Sequence, residues 1–375
     1  MGISSEFEME GNGNWDLSKD ERDDTGLVRI SNEYLKPNVG LLYLLVSNFL
    51  NSVMMVSTKL LETDPEFEEP IKPLQILAVR MSVTFAGTLI YIQLKKSEIP
   101  HAPFGPPEMR KWLLLRGCTG FFGVFGLYYS LMYLSVADST LITFLGPSFT
   151  GVLAWMFLRE RYSFVEAIGA LISFCGVVVI VRPAFLFGDR SEGGNLDKQV
   201  ESSDPQERLI ASLVALFGIF CGSVVYIIIR HIGHRAHAIL SVTYFSFTTS
   251  VVSLIGIVAI PSMGFQIPQT SKQWFLFALI GLSGFFMQLF LTMGIQRERA
   301  ARGAYMSYAQ MVCAVFWEIV IWHHFPEFWT WCGLALIVGS AVIVFRYKPE
   351  YEAITEVNNE VSGQIPLEDF GPGKN

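Results

Sequence analysis

Eight side chains combine hydrogen-bonding power with surroundings that offer them no water: Asn48, Asn51, Lys59, Arg80, Thr143, Gln288, Gln310 and Glu318, each inside a long apolar run. A charge at bilayer depth costs about 2.5–3.5 kcal/mol even on lenient insertion scales. Each therefore needs a partner, a wet cavity or a task. Asn48, Asn51, Ser52, Met55 and Lys59 recur at helical spacing and share one face. That face suits a cavity wall ending in a cation. It suits equally a hydrogen-bonded helix contact with Lys59 reaching for the surface. Arg80, Thr84 and Thr88 stack four apart. The guanidinium fork of Arg80 fits a carboxylate or phosphate, whether on a ligand or on a neighbouring helix.

Glu318 follows Gln310 by eight residues, so the two lie near one face. Glu318 either pairs with Arg80 or Lys59, or forms with Gln288 and Gln310 a polar site that exchanges protons. The stretch Ser139, Thr140, Thr143, Pro147 and Thr150 carries a proline in mid-run. Proline removes one backbone hydrogen bond and frees a carbonyl, which makes Pro147 a hinge candidate in a cavity-lining helix. Arg116-Gly117, Gly120, Gly123 and Gly126 form a small-residue stripe suited to close helix contact, with Arg116 expected to snorkel from the end of its span.

Other chemistry is poorly supplied. His231, His234 and His237 are spaced by three, and His323 adjoins His324, but both groups read as loop residues rather than metal ligands. Asp138 and Glu318 have no nucleophile or metal beside them for acid–base work, and no phosphate-binding glycine loop, HExxH or GxSxG occurs. The reading is therefore not an enzyme, with no catalytic residues, cofactor or metal. Five scattered cysteines in apolar runs read as buried free thiols. Tyr351-Glu352-Ala353-Ile354 has the form of a tyrosine-type sorting signal.

The elements that hold these residues follow from composition. The 375 residues are 51% hydrophobic and 16% charged, with mean hydropathy +0.41. An ordinary soluble domain carries about 25% charge. Ten apolar runs are each near the length a helix needs to cross a bilayer: 38–61, 74–94, 112–133, 138–158, 163–182, 209–230, 237–260, 273–295, 303–322 and 328–345. They are too long and too continuously apolar for barrel strands. The net charge of −7 sits in the tails, 1–37 and 347–375, so it describes no substrate, and no basic stripe suggests nucleic acid. Both tails read as acidic, disordered and cytosolic. With the N-terminus in the cytosol, eleven Lys and Arg residues fall in short cytosolic loops, against Lys72 and Lys272 opposite. The longer connector at 183–208 dissents with Arg190 and Lys198.

That connector leaves five runs on each side. An odd number per half inserts the second half upside down, the inverted-repeat plan of many secondary carriers. A shift of 164 aligns 120–182 with 284–346 without a gap and places Gly120-Phe121-Phe122 on Gly284-Phe285-Phe286.

Ala137-Asp138-Ser139-Thr140, Gly146-Pro147, Leu158-Arg159-Glu160 and Gly176-Val177-Val178-Val179-Ile180 resemble the drug/metabolite transporter superfamily with two EamA-type repeats. Arg182-Pro183-Ala184-Phe185-Leu186-Phe187-Gly188 is similar to the eukaryotic solute carrier 35 group, subgroup G. The second half departs from the pattern, with Gln310-Met311 in place of Gly-Pro and His324 in place of the glutamate. The resemblance implies an all-α integral membrane fold of ten helices. The repeats would occupy 38–182 and 209–346. The expected function is secondary transport, by alternating access, of a small polar metabolite, anionic or zwitterionic. The alternative is a membrane regulator or trafficking scaffold acting through its tails. The expected partners are a small-molecule substrate and the lipid bilayer, with a homodimer left open. The organelle is unspecified.

Overall fold

The computed structural model describes residues 39–62, 71, 73–134, 136–160, 164–181, 205–259, 266–323 and 325–346. Both acidic tails, nearly all of the connector, the Arg182–Gly188 motif, the Tyr351 motif, His324, Lys72 and Arg161 lie outside them, as does the side chain of Asp138. Every regular element among the described residues is helical. In order these are α1 (Val39–Glu62), α2 (Pro73–Leu94), α3 (Arg110–Tyr133), α4 (Val136–Thr143), α5 (Gly146–Leu153), α6 (Phe164–Val181), α7 (Pro205–Ile232), α8 (Ala238–Ala259), α9 (Ser271–Arg297), α10 (Ala300–Tyr305), α11 (Ala309–Trp322) and α12 (Phe328–Arg346).

The apolar runs leave the backbone nowhere to bond except within itself, which selects helix. Among the described residues eight helical stretches are long and apolar enough to cross a membrane. The α4–α5 pair and the α10–α11 pair each make one of them, Ser139–Leu158 and Ala300–Ile321. The apolar part of α12, Phe328–Val344, is shorter. Helix α3 has the length, but its two arginines, its lysine, its glycines and its tyrosines dilute its apolarity.

Small residues decide which helices meet. Helix α3 lies on α7 where Gly126 faces Gly218; a Cβ on Gly126 would come 2.6 Å from the Gly218 Cα. Helix α6 lies on α12 where a Cβ on Gly176 would come 2.7 Å from the Gly333 carbonyl oxygen. Two further contacts flank that crossing: Gly169 against Val344 and Gly333 against Ile180. Helix α2 packs on both α8 and α9. Ser82 and Ser250 share a 2.7 Å hydrogen bond across the first of these contacts.

Two helices break near their middles. Between α4 and α5 the chain turns at Phe144–Leu145, just ahead of Pro147 in the first turn of α5. Between α10 and α11 a tight turn spans Met306–Tyr308. The two breaks face each other: the Phe144 and Tyr308 rings stack at 5.5 Å and 13°, and the Tyr308 hydroxyl donates to the Phe144 carbonyl at 3.1 Å.

At one end the loops are tied by buried and half-buried charge. Helix α5 continues into one π-helical turn, Ala154–Leu158, which stops at a left-handed Arg159. Glu160 then accepts from Arg230 Nε at 2.9 Å and from the Ala300 amide at 3.0 Å. Glu166, on the first turn of α6, meets Arg299 at 3.2 Å and Arg302 at 3.4 Å. Arg302 also lies 3.8 Å from Glu298.

The five cysteines are free, and their burial differs from the expectation. Cys118 and Cys175 are exposed on helix surfaces, and Cys221 is buried. An apolar run places a thiol in hydrocarbon or in a helix contact alike, and sequence does not separate the two.

Candidate functional site

A cavity of about 260 Å³ lies beside the broken helix. Helix α3 supplies Arg116, Gly120 and Gly123; the break supplies Thr143, Gly146, Pro147 and Thr150. Helix α7 contributes Gly218, Gly222, Ser223 and Tyr226, α8 contributes Phe245, and α9 contributes Gln288. The glycines thin the wall, and the break supplies polar backbone that a continuous helix would have consumed. The Gly146 carbonyl accepts from the Ser223 hydroxyl at 3.2 Å. Thr143 donates to the carbonyl of Ser139 at 2.8 Å, which leaves its oxygen able to accept.

Among the described residues Arg116 is the charged one on this wall. Only 2% of it is exposed. Its Nη2 donates to the Gln288 side-chain oxygen at 3.2 Å, and its guanidinium carbon lies 4.2 Å from the centre of the Phe245 ring. Nε and Nη1 have no hydrogen-bond partner. Helix α3 starts at Arg110. Six residues of rise, about 9 Å, therefore separate Arg116 from the helix end. Gly120 makes the seat, because a Cβ there would come 2.8 Å from Nη1 and 2.7 Å from the Phe245 ring. Snorkelling is corrected: α8 and α9 cover the guanidinium, and its way to the surface is closed. The signal in the sequence was the arginine one helical turn before a glycine.

Of the residues expected from sequence, Thr143, Gln288 and the hinge candidate Pro147 meet at this cavity. The others stand elsewhere. Asn48 Nδ2 donates to the carbonyls of Leu44 and Met306, both at 2.9 Å, joining α1 to the second break. Ser52, on the same face, accepts from Trp317 Nε1 at 3.0 Å. Asn51 is half-buried on α1, and Lys59 is exposed near its end. Arg80 is buried, hydrogen-bonds to Tyr128, and folds its stem over Gly284. Gln310 is half-buried at the start of α11, and Glu318 is exposed further along it. Among the described residues no group of three His, Cys, Asp or Glu gathers to hold a metal. His231 stacks on Trp112 at 4.5 Å.

Two stretches of the chain, 38–182 and 209–346, match the EamA-like transporter family. The chain belongs to that family. It is an integral, multi-pass membrane protein and a transporter rather than an enzyme. It is 55% identical over 327 residues to a Saccharomyces cerevisiae protein named "probable transport protein", which covers 86% of this chain and 92% of the relative. It is 29% identical over 306 residues to solute carrier family 35 member G1 of Homo sapiens, covering 82% of this chain and 78% of the relative. A crystal structure with 18% sequence identity superposes with a TM-score of 0.64, covering 82% of this chain and 96% of the other, a likeness of fold alone.

Proposed function

We propose that this transporter is a secondary carrier that moves a small polar metabolite, anionic or zwitterionic, through the cavity at the α4–α5 break by alternating access. The observation that carries the reading is Arg116, a cation sealed on the wall of that cavity with donors left over. Thr143, Gln288 and Ser223 are the neutral contacts, and Pro147 is the hinge.

In this reading α3 and α12 complete ten spans, and the spans form two inverted five-helix repeats. The repeats take up 38–182 and 209–346, joined by the connector at 183–208. Contacts between residues 164 apart support it. Phe144 stacks on Tyr308. The same shift carries Gly169 onto Gly333 and Ile180 onto Val344, and the contacts exchange accordingly: Gly169 touches Val344, and Gly333 touches Ile180. Equivalent residues meeting in this reciprocal way is what a twofold axis between two halves produces. The two broken helices then flank the axis, where carriers of this plan hold their substrate. The charge of the short loops supports cytosolic termini. Ion pairs among Glu160, Glu166, Arg230, Arg299 and Arg302, buried or half-buried, would close the cytosolic end.

The full chain purified into liposomes tests this against a panel of anionic, zwitterionic and neutral metabolites. Saturable uptake of an anion or zwitterion that Pro147→Ala and Gln288→Ala slow supports the reading. No uptake of any solute rejects it. A cellular phenotype that survives cavity substitutions yet is lost when 1–36 and 350–375 are deleted would favour a scaffold acting through its tails.

A further inference from the structure

We infer that the cavity is built for a monocarboxylate with a short apolar body, held by Arg116; this rests on the carrier reading and narrows its substrate class. The argument is one of charge matching. Among the described lining residues Arg116 is the one charged side chain, and none is a carboxylate. Its guanidinium is buried, with an amide oxygen on one side and an aromatic face on another. Nε–H and the Nη1–H donors are left without acceptors. A buried cation short of acceptors is costly, and a single negative charge bearing two oxygens removes that cost. A dianion would leave one charge unmatched in the same low-dielectric space.

A zwitterion fits less well. Its ammonium group would need an anionic or strongly accepting partner, and the wall offers the hydroxyls of Thr143, Ser223 and Tyr226 in place of a carboxylate. Apart from the hydroxyls of Thr150 and Ser307, the remaining wall is mostly glycine and apolar side chains, including Leu127, Ile219 and Leu291. Those apolar side chains accept hydrocarbon. Pockets for drug-sized ligands measure about 300–1,000 Å³. A cavity of about 260 Å³ therefore suits a small acid better than a nucleotide-linked sugar or a long acyl chain.

A matched series with one branched body tests this: isocaproate as monoanion, isocaproamide as neutral compound, leucine as zwitterion and isobutylmalonate as dianion, with palmitate as a lipid-derived carboxylate. Thermal stabilisation of the purified full chain is read beside uptake into proteoliposomes, with protein-free liposomes subtracted. Isocaproate is expected to stabilise the protein and to enter at the highest rate. Arg116→Gln is expected to lower its uptake by about thirtyfold or more, the range for removing one partner of a buried charged contact. Arg116→Lys is expected to retain part of it. Preference for leucine, the dianion, the amide or palmitate overturns the inference while leaving a carrier in place. So does Arg116→Gln that carries isocaproate like the wild type. Absence of uptake for every solute rejects the carrier reading itself.

Discussion

Apart from Arg80, which bonds Tyr128, the arginines drawn into the described interior of this protein live in two different societies. At one end of the bundle Arg230, Arg299 and Arg302 meet Glu160, Glu166 and Glu298, so that each guanidinium faces a carboxylate. On the cavity wall Arg116 faces an amide oxygen, a phenyl ring and empty volume. Arg302 in the first group is buried as Arg116 is, so burial alone does not separate them. What separates them is whether the protein supplies the counter-charge. Where it does, the charges hold segments together. Where it does not, something from outside must complete the site. The cluster and the cavity adjoin: α10 carries Arg302 in the first and Ala304 on the wall of the second, two residues apart.

The largest expected effect comes from breaking the paired side. Glu166→Ala takes the nearest carboxylate from Arg302 and the one that Arg299 meets, and is expected to cost about 3–5 kcal/mol, the usual penalty for removing one member of a buried ion pair. The melting temperature of the purified protein measures it. A melting temperature equal to the wild type would mean that water already reaches this end and that the contrast with Arg116 is false.

The seat of Arg116 comes next. Gly120→Ala is expected to cost about 1–3 kcal/mol by overpacking against Nη1 and the Phe245 ring. The same change in an Arg116→Ala background should cost less, because one of its two obstacles is gone. Equal costs in both backgrounds would show that Gly120 serves Phe245 alone.

On the unpaired side the sign reverses. Arg116→Met removes a buried charge that no carboxylate matches. Stability is expected to change by between zero and a gain of about 2 kcal/mol, while transport is lost. A large loss of stability would place Arg116 among the structural arginines and dissolve the comparison. The pair Glu166→Ala and Arg116→Met thus tests one idea from both ends.

Parts of this contrast were legible in the sequence, and the reason is physical. Apolar runs near twenty residues have one solution in hydrocarbon, so the helices could be read. Pro147 announced a break because proline cannot donate, and the break lies just before it, at Phe144–Leu145. The glycines at 120, 123 and 126 announced close contact, which α7 and α8 provide. Partner choice was not legible. Spacing left Asn48 equally a cavity residue or a helix contact, and its amide bonds backbone across a helix contact. Spacing likewise left Glu318 between a partner in Arg80 or Lys59 and a polar site; Arg80 bonds Tyr128, and Glu318 is exposed. Glu166 went unread although it sits in the first turn of an apolar helix, because its partners arrive from more than a hundred residues away. Periodicity records which face a residue shares, and only tertiary packing records what that face meets.

The smallest effect tests whether burial or pairing governs a group between two spans. His237 sits half-buried between Arg235 and α8, against the Tyr91 ring, and its Nδ1 accepts the Ile239 amide at 3.3 Å. Burial lowers its pKa below the ordinary value; Glu98 opposes that shift and Lys95 adds to it. The folded state therefore resists a proton that the unfolded chain takes near pH 6.5. Above that value neither state is charged, and the contribution is flat. As pH falls through 6.5 toward the lowered folded pKa, the unfolded state binds more protons and stability declines; below the folded pKa the loss levels off. The melting-temperature difference between wild type and His237→Gln is expected to stay constant above about pH 7 and to turn against the wild type on acidification. Were Glu98 the dominant neighbour, the folded pKa would be raised and the slope would take the opposite sign, with the wild type gaining stability as the imidazolium formed. The sign of that one slope decides whether desolvation outweighs a nearby carboxylate outside the spans, as the accounting at Arg116 assumes within them.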